Sequence, residues 1–302
     1  GATGAGGDIA ISGNRVTVSG GSSRIASQTN SGGRGGNIAL NLQELRLEAG
    51  GLLDTSAAGT GDAGTISVSA SDTWLTGATT AIASSTTAAG TGGTVSIAGA
   101  NLTVADSARV SVTSAGAGNA GNINLALTHN LEITDLGRIE TNAAVSGGGN
   151  ITANAVNQIY LRDATLTASS GGPESGDDGG NVSIDPVFFI LQDSTIVAQA
   201  VRGNGGIINL VADNFISDTH SFIDASSELG NDGEVRITSP DNAITGVIGV
   251  LNSSFSQGET LLDEPCAARA LADRSSLLVP GPSRNIEAPD DYSIHHATAC
   301  SR

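Results

Sequence analysis

Lysine and methionine are absent from this chain, aromatic residues make up 3% of it, and it holds 2 cysteines. Each scarcity removes a class of protein. Without Lys there is no Lys-Asn isopeptide staple. Nor is there a lysine to reach a phosphate, so the Gly-x-Gly-Gly strings, with no helix after them, are not phosphate loops. The 13 basic residues, all Arg, stand against 30 acids, for a formal charge of −17. A nucleic acid needs a basic stripe to release its counterions, and none is present, so no nucleic-acid partner is expected. No apolar run reaches the ~18 residues of a membrane-spanning helix, so no membrane insertion is expected. With so few aromatics, and with Ala, Ser, Thr, Val and 42 Gly in their place, the interior must be narrow and lined by small aliphatic side chains.

What is present is a repeat. Taking the glycine before an Asn-Ile-like pair as anchor gives Gly7, Gly36, Gly64, Gly93, Gly121, Gly149, Gly180, Gly206 and Gly233, at intervals of 29, 28, 29, 28, 28, 31, 26 and 27 residues. Two residues past each anchor stand Ile9, Ile38, Ile66, Val95, Ile123, Ile151, Val182, Ile208 and Val235, and two further on Ile11, Leu40, Val68, Ile97, Leu125, Ala153, Ile184, Leu210 and Ile237. Alternation of this kind marks a strand with one buried face. A second alternating pair follows, as in Leu45 and Leu47 or Leu131 and Ile133. A third apolar position runs Ile25, Leu53, Ile82, Val110, Ile139, Leu166, Ile196 and Ile223.

Three short strands per unit and no helical period predict an all-β, right-handed, three-sided parallel β-helix, because a unit that cannot bury its own apolar face must stack on its neighbours. Eight units and a partial ninth, rising about 4.7–4.9 Å per coil, predict a rod roughly 40 Å long. The expected domains are a β-helix over residues 1–251 and a C-terminal cap or tail over 252–302. Loops fall just before the anchors, and the longest, Gly171 to Asp178, is acidic and expected to project. From Gly180 onward the repeat loosens. The run from Asp185 to Leu191, with Phe215 and Phe222 after it, suggests a wider bore whose aromatics seal the end.

The tail departs from the repeat. Residues 264–274 read as a short helix with Asp263 as N-cap and Pro265 in its first turn. Cys266 and Cys300 are expected to form a disulfide, closing a loop of about 35 residues for roughly 4 kcal/mol and implying an oxidising, exported setting. A zinc site with His295 and His296 is the alternative, at an unfamiliar spacing.

The most regular polar feature is a column of aspartates past the second strand: Asp106, Asp135, Asp163, Asp193 and Asp218. Stacked one coil apart, such carboxylates repel by about 1 kcal/mol in a water-like dielectric. Two readings fit: each Asp caps backbone N–H groups at a corner, or calcium, the single candidate cofactor, lies between them. Asn37, Asn122, Asn150 and Asn181 predict a hydrogen-bonded amide ladder. The outward positions of the first strand carry no carboxylate pair, and the 4 histidines are scattered, so no catalytic site is expected; a polysaccharide-active enzyme stands as a distant alternative.

Gly-Gly-Asn-Ile-x-Leu, then Leu-x-Ile-x-Asp, then Arg-Ile-x-Thr or Arg-Val-x-Val-x-Ser, closed by a Gly-x-Gly-Gly corner, resembles the filamentous-haemagglutinin-like exoproteins secreted by the two-partner route. The resemblance covers residues 1 to about 250, and the tail is similar to the C-terminal region of such proteins. It implies export through an outer-membrane barrel, an extracellular or cell-surface location, and a role in adhesion, aggregation or biofilm, with surface glycans or proteins as partners. The family's Asn-Pro-Asn-Gly and Asn-Pro-Asn-Leu motifs are missing, and residue 1 is not Met, so the chain is expected to be the C-terminal part of something longer. The first coil begins within eight residues of the start, which makes head-to-tail self-association into a filament the second expectation.

Overall fold

A computed structural model describes residues 4–240 and 244–245. Cys266, Cys300, the expected tail helix and the 252–302 boundary lie outside the described residues. Within them the regular structure is all strand, arranged as a sheet of 12 and a sheet of 8. The pairings are parallel, with a register of one repeat unit. Ile9 pairs with Ile38, Ile38 with Ile66, and the series continues through Val95, Ile123, Ile151, Val182, Ile208 and Val235. The third column is equally unbroken, from Ile25 to Ile223. This is the expected parallel β-solenoid.

The anchor glycines have a steric cause. A Cβ on Gly121 would run into the carbonyl oxygen of Gly93, and one on Gly149 into that of Gly121; Gly64, Gly93, Gly180 and Gly206 meet the preceding anchor in the same way. Coils can stack at strand spacing here only if no side chain intervenes.

One expectation needs correction. The first and second strands of a unit are continuous in six coils, as Ile38–Glu48, Ile66–Thr76, Val95–Ala105, Ile123–Thr134, Ile151–Arg162 and Val182–Gln192. They separate in the first coil, as Ile9–Ser12 and Arg15–Ser19, in the eighth, as Ile207–Val211 and Asn214–Ser217, and in the ninth, as Glu234–Thr238 and Ile244–Thr245. The corner survives as a change of phase inside the strand: Ile38, Leu40 and Leu42 point inward, then Leu45 and Leu47. The strand runs on round the bend, with the pairing register shifting between Leu127 and Asn130 and between Ala155 and Gln158, so two faces share one sheet. The third face is the 8-stranded sheet, built from strands such as Leu52–Ala57 and Arg109–Ser114.

Inside, the columns form one continuous core. Burying each Leu or Ile stabilises the stack by about 1.5–3 kcal/mol. The column that begins the second face is the least uniform: Val16, Leu45, Thr73, Leu102, Leu131, Ile159, Phe189 and Phe215. The late aromatics divide. Phe189 and Phe215 fill it, whereas Phe188 and Phe222 are exposed on the outside.

Candidate functional site

The aspartate column is first of all a set of corners. Asp106, Asp135, Asp163 and Asp193 have φ between 46° and 55°, the left-handed region that Asp tolerates better than most residues. In the first and third coils Gly20 and Gly77, with φ of 95° and 96°, stand at this place, and in the second Ala49 does, with φ 51°, followed by Gly50 with φ 92°. Asp218 caps: its carboxylate accepts hydrogen bonds from the backbone N–H groups of Asp193 (2.8 Å), His220 (3.2 Å) and Ser221 (2.8 Å). Burial pushes its pKa up, but hydrogen bonds from Ser221, Asp193 and His220 outweigh this and hold the carboxyl below its ordinary value. Asp135 lies 3.0 Å from Arg162. Asp193, Asp218 and His220 have ligand atoms within 4.8 Å of one another, and Asp106, Asp135 and Asp163 do not belong to that group.

The amide ladder is present and reaches further than the four asparagines. Asn37 donates its N–H to Asp8, Asn150 to Asn122, and Asn181 to Asn150, at 2.7–2.9 Å, and Ile207 donates to Asn181 at 2.8 Å. A second ladder, Asp178, Asn204 and Asn231, stands two residues before the anchors. Both cap backbone N–H groups at coil corners, so both are structural. The 171–178 loop is held at its base, where the Ser170 hydroxyl donates to the Asp177 carbonyl at 2.7 Å, while Pro173 to Gly176 are exposed.

The surface feature with the densest chemistry is the outer side of the second face, not that of the first. Two polar columns run there side by side. One is Arg15, Glu44, Asp72, Asn101, Asn130 and Gln158; the other is Thr17, Arg46, Trp74, Thr103, Glu132 and Tyr160. Glu44 is clasped by Arg15 and Arg46, which hold its pKa below the usual value, Arg46 contributing most. The Arg46 guanidinium also lies over the Trp74 ring, 5.6 Å from its centroid. Asn101 donates to Asp72 at 2.8 Å and Asn130 to Asn101 at 3.2 Å.

Between Trp74 and Glu132 the column drops to Thr103. The step leaves a notch of about 160 Å³ lined by Trp74, Asn101, Leu102, Thr103, Asn130 and Glu132. Two shallow grooves lie elsewhere: one of about 350 Å³ on the third face by Asn142 and Gln199, and one of about 290 Å³ at the corner by Val156, Asp185 and Asp213. The signal for the notch was legible in principle, since the second strand alternates as strictly as the first and position 74 holds the chain's sole Trp.

No protein-family model, curated protein or solved structure matches this chain. Among the described residues no helix is long and apolar enough to cross a membrane.

Proposed function

We propose that this chain is a structural and adhesive element of an extracellular surface, a stiff β-solenoid stalk whose sides present polar side chains. The observation that carries this reading is the register: one apolar column passes through nine successive anchors without a slip. Such stacking builds length from nearest-neighbour contacts and encloses no large chamber. The repeat motifs, similar to those of filamentous-haemagglutinin-like exoproteins, support export through an outer-membrane barrel and binding to surface glycans or proteins. Beads coated with the chain test it. Saturable retention on bacterial biofilm is expected; retention no greater than that of an unrelated protein of equal net charge contradicts it.

A second reading, a filament subunit, is favoured by the end coils. Val235 and Ile237 belong to the inward columns yet are 40% and 46% exposed, whereas Ile208 and Leu210, one coil earlier, are 0% and 1% exposed. Ile9 and Ile11 at the other end are only partly buried. A strand edge beside exposed apolar residues invites another strand, and a head-to-tail contact that does not close makes a fibre. Negative-stain microscopy at micromolar protein should show long fibres if this is so; uniform single particles would exclude it.

A further inference from the structure

We infer that the notch between Trp74 and Glu132 is a binding site for an uncharged glycan, with one sugar ring stacked on the indole. The inference deepens the adhesive reading and rests on it.

The geometry points there for three reasons. Trp74 is 37% exposed on a chain almost without aromatics, and Arg46 lies over its ring from the preceding coil. The notch opens on the other side, toward Thr103 in the following coil. An aromatic face carries negative π density and favours the weakly positive C–H face of a pyranose. Secondly, Glu132 stands two coils beyond Trp74, about 9.5 Å away along the stack. That gap accommodates one ring in contact with the indole at ~4 Å and brings its hydroxyls to the carboxylate. Glu132 has no ion pair or hydrogen bond from its side chain among the described residues, so it is available as an acceptor. Thirdly, the floor supplies fixed polar groups. Asn101 and Asn130 each use one amide N–H in the ladder to Asp72, which orients both and leaves the second N–H of each for a ligand hydroxyl.

Charge selects the class of glycan. The carboxylates at the notch and beside it are Glu132 and Asp72, and the cations that flank it are engaged, Arg15 and Arg46 by Glu44 and Arg162 by Asp135. A uronate or sulfated chain would meet uncompensated negative charge in a protein already at −17. A neutral chain meets none of this. Because successive coils repeat the polar columns, a linear glycan can continue along the face past Tyr160, whose hydroxyl donates to Gln192 at 3.0 Å.

The test uses the full chain and needs no label, because Trp74 is the only tryptophan and its fluorescence reports on this notch alone. Neutral hexasaccharides (β-glucan, mannan and xylan series) and oligogalacturonate are titrated in turn. A saturable change with at least one neutral series and none with oligogalacturonate is expected. Glu132→Ala keeps the fluorophore and should weaken binding roughly tenfold, the scale of one lost charged hydrogen bond. Trp74→Ala, read by calorimetry, should abolish it. No response to any neutral series, a response to oligogalacturonate alone, or an unaltered affinity in Glu132→Ala overturns the site. Bead retention run in parallel keeps the two readings apart. Beads that adhere while Trp74 stays silent refute the notch alone; a saturable Trp74 response without adhesion refutes the adhesive role alone.

Discussion

Phe189 and Phe215 stack one coil apart inside the solenoid, with ring centroids 5.4 Å apart and planes 13° from parallel. They occupy the column that Val16, Leu45, Thr73, Leu102, Leu131 and Ile159 fill in earlier coils, so the late coils are packed by aromatic area. Phe189 is fully buried and its chain neighbour Phe188 is 45% exposed, a consequence of strand alternation. Phe189→Ala should therefore cost about 3–5 kcal/mol, while Phe188→Ala should stay within about 0.5 kcal/mol. Urea unfolding of the two variants decides it; equal losses would mean that the inward and outward assignments are wrong.

Thr73 sits in the same column between Leu45 and Leu102, 1% exposed, and its hydroxyl has no hydrogen-bond partner. A buried hydroxyl left unpaired costs about 1–3 kcal/mol of desolvation. Thr73→Val removes the hydroxyl at nearly constant shape and should raise stability by about 1 kcal/mol, seen as a higher urea midpoint at unchanged slope. A lower midpoint would show that the hydroxyl is satisfied after all.

The anchor glycines differ in consequence. A Cβ on Gly149 would overlap the Gly121 carbonyl oxygen, whereas one on Gly7 meets nothing within 4 Å. Gly149→Ala should lose at least about 1–3 kcal/mol, the scale of overpacking against atoms that cannot move aside, and Gly7→Ala should be close to neutral. Thermal melts of both proteins make the comparison, and a tolerant Gly149 would break the link between the repeat's period and its close stacking.

Acid should loosen the loop corners in a defined window. Asp62 accepts hydrogen bonds from the backbone N–H and the hydroxyl of Thr91, each 2.8 Å, across one coil. The backbone bond first, then the hydroxyl, hold its pKa below the ordinary value. A group whose folded pKa is depressed stabilises fully above its unfolded pKa, near 4, and loses that contribution as the pH falls through the folded value. The stability difference between the parent protein and Asp62→Asn should thus be constant from pH 8 down to about 5 and shrink below about 4. A difference that grew on acidification would contradict the hydrogen-bond assignment.

Much of this fold was legible because two independent signals agree: a near-constant spacing of glycines, and aliphatic columns with period two between them. Ile38, Ile66 and Val95 could be aligned on paper as they are aligned in the sheet. What escaped notice has physical reasons. The bend at Leu42 to Leu45 leaves no turn residue behind, since the strand changes phase without breaking, so one long strand reads as two. Thr73 looks like a surface residue because its polarity contradicts its burial. Phe188 and Phe189 cannot be told apart by composition, and only their parity sends one outward. The aspartate corners were legible as a column, but the backbone strain they relieve was not. The Trp74 notch depends on Thr103 being small between two larger neighbours from other coils, a relation separated by 29 residues on each side and visible only once the register is known.

Each unit of the solenoid is an exchangeable layer. Excising residues 93–120, one complete unit of 28 residues, joins Gly92 to Gly121 and recreates the Gly-Gly step already present at Gly35 and Gly36. Cryo-electron microscopy of the shortened protein beside its parent measures the outcome. If the layers are equivalent, the deletion protein remains a folded solenoid shorter by about 4.8 Å, with Gly121 now stacked on Gly64. A protein that loses its fold, or keeps its length, would contradict the layered architecture.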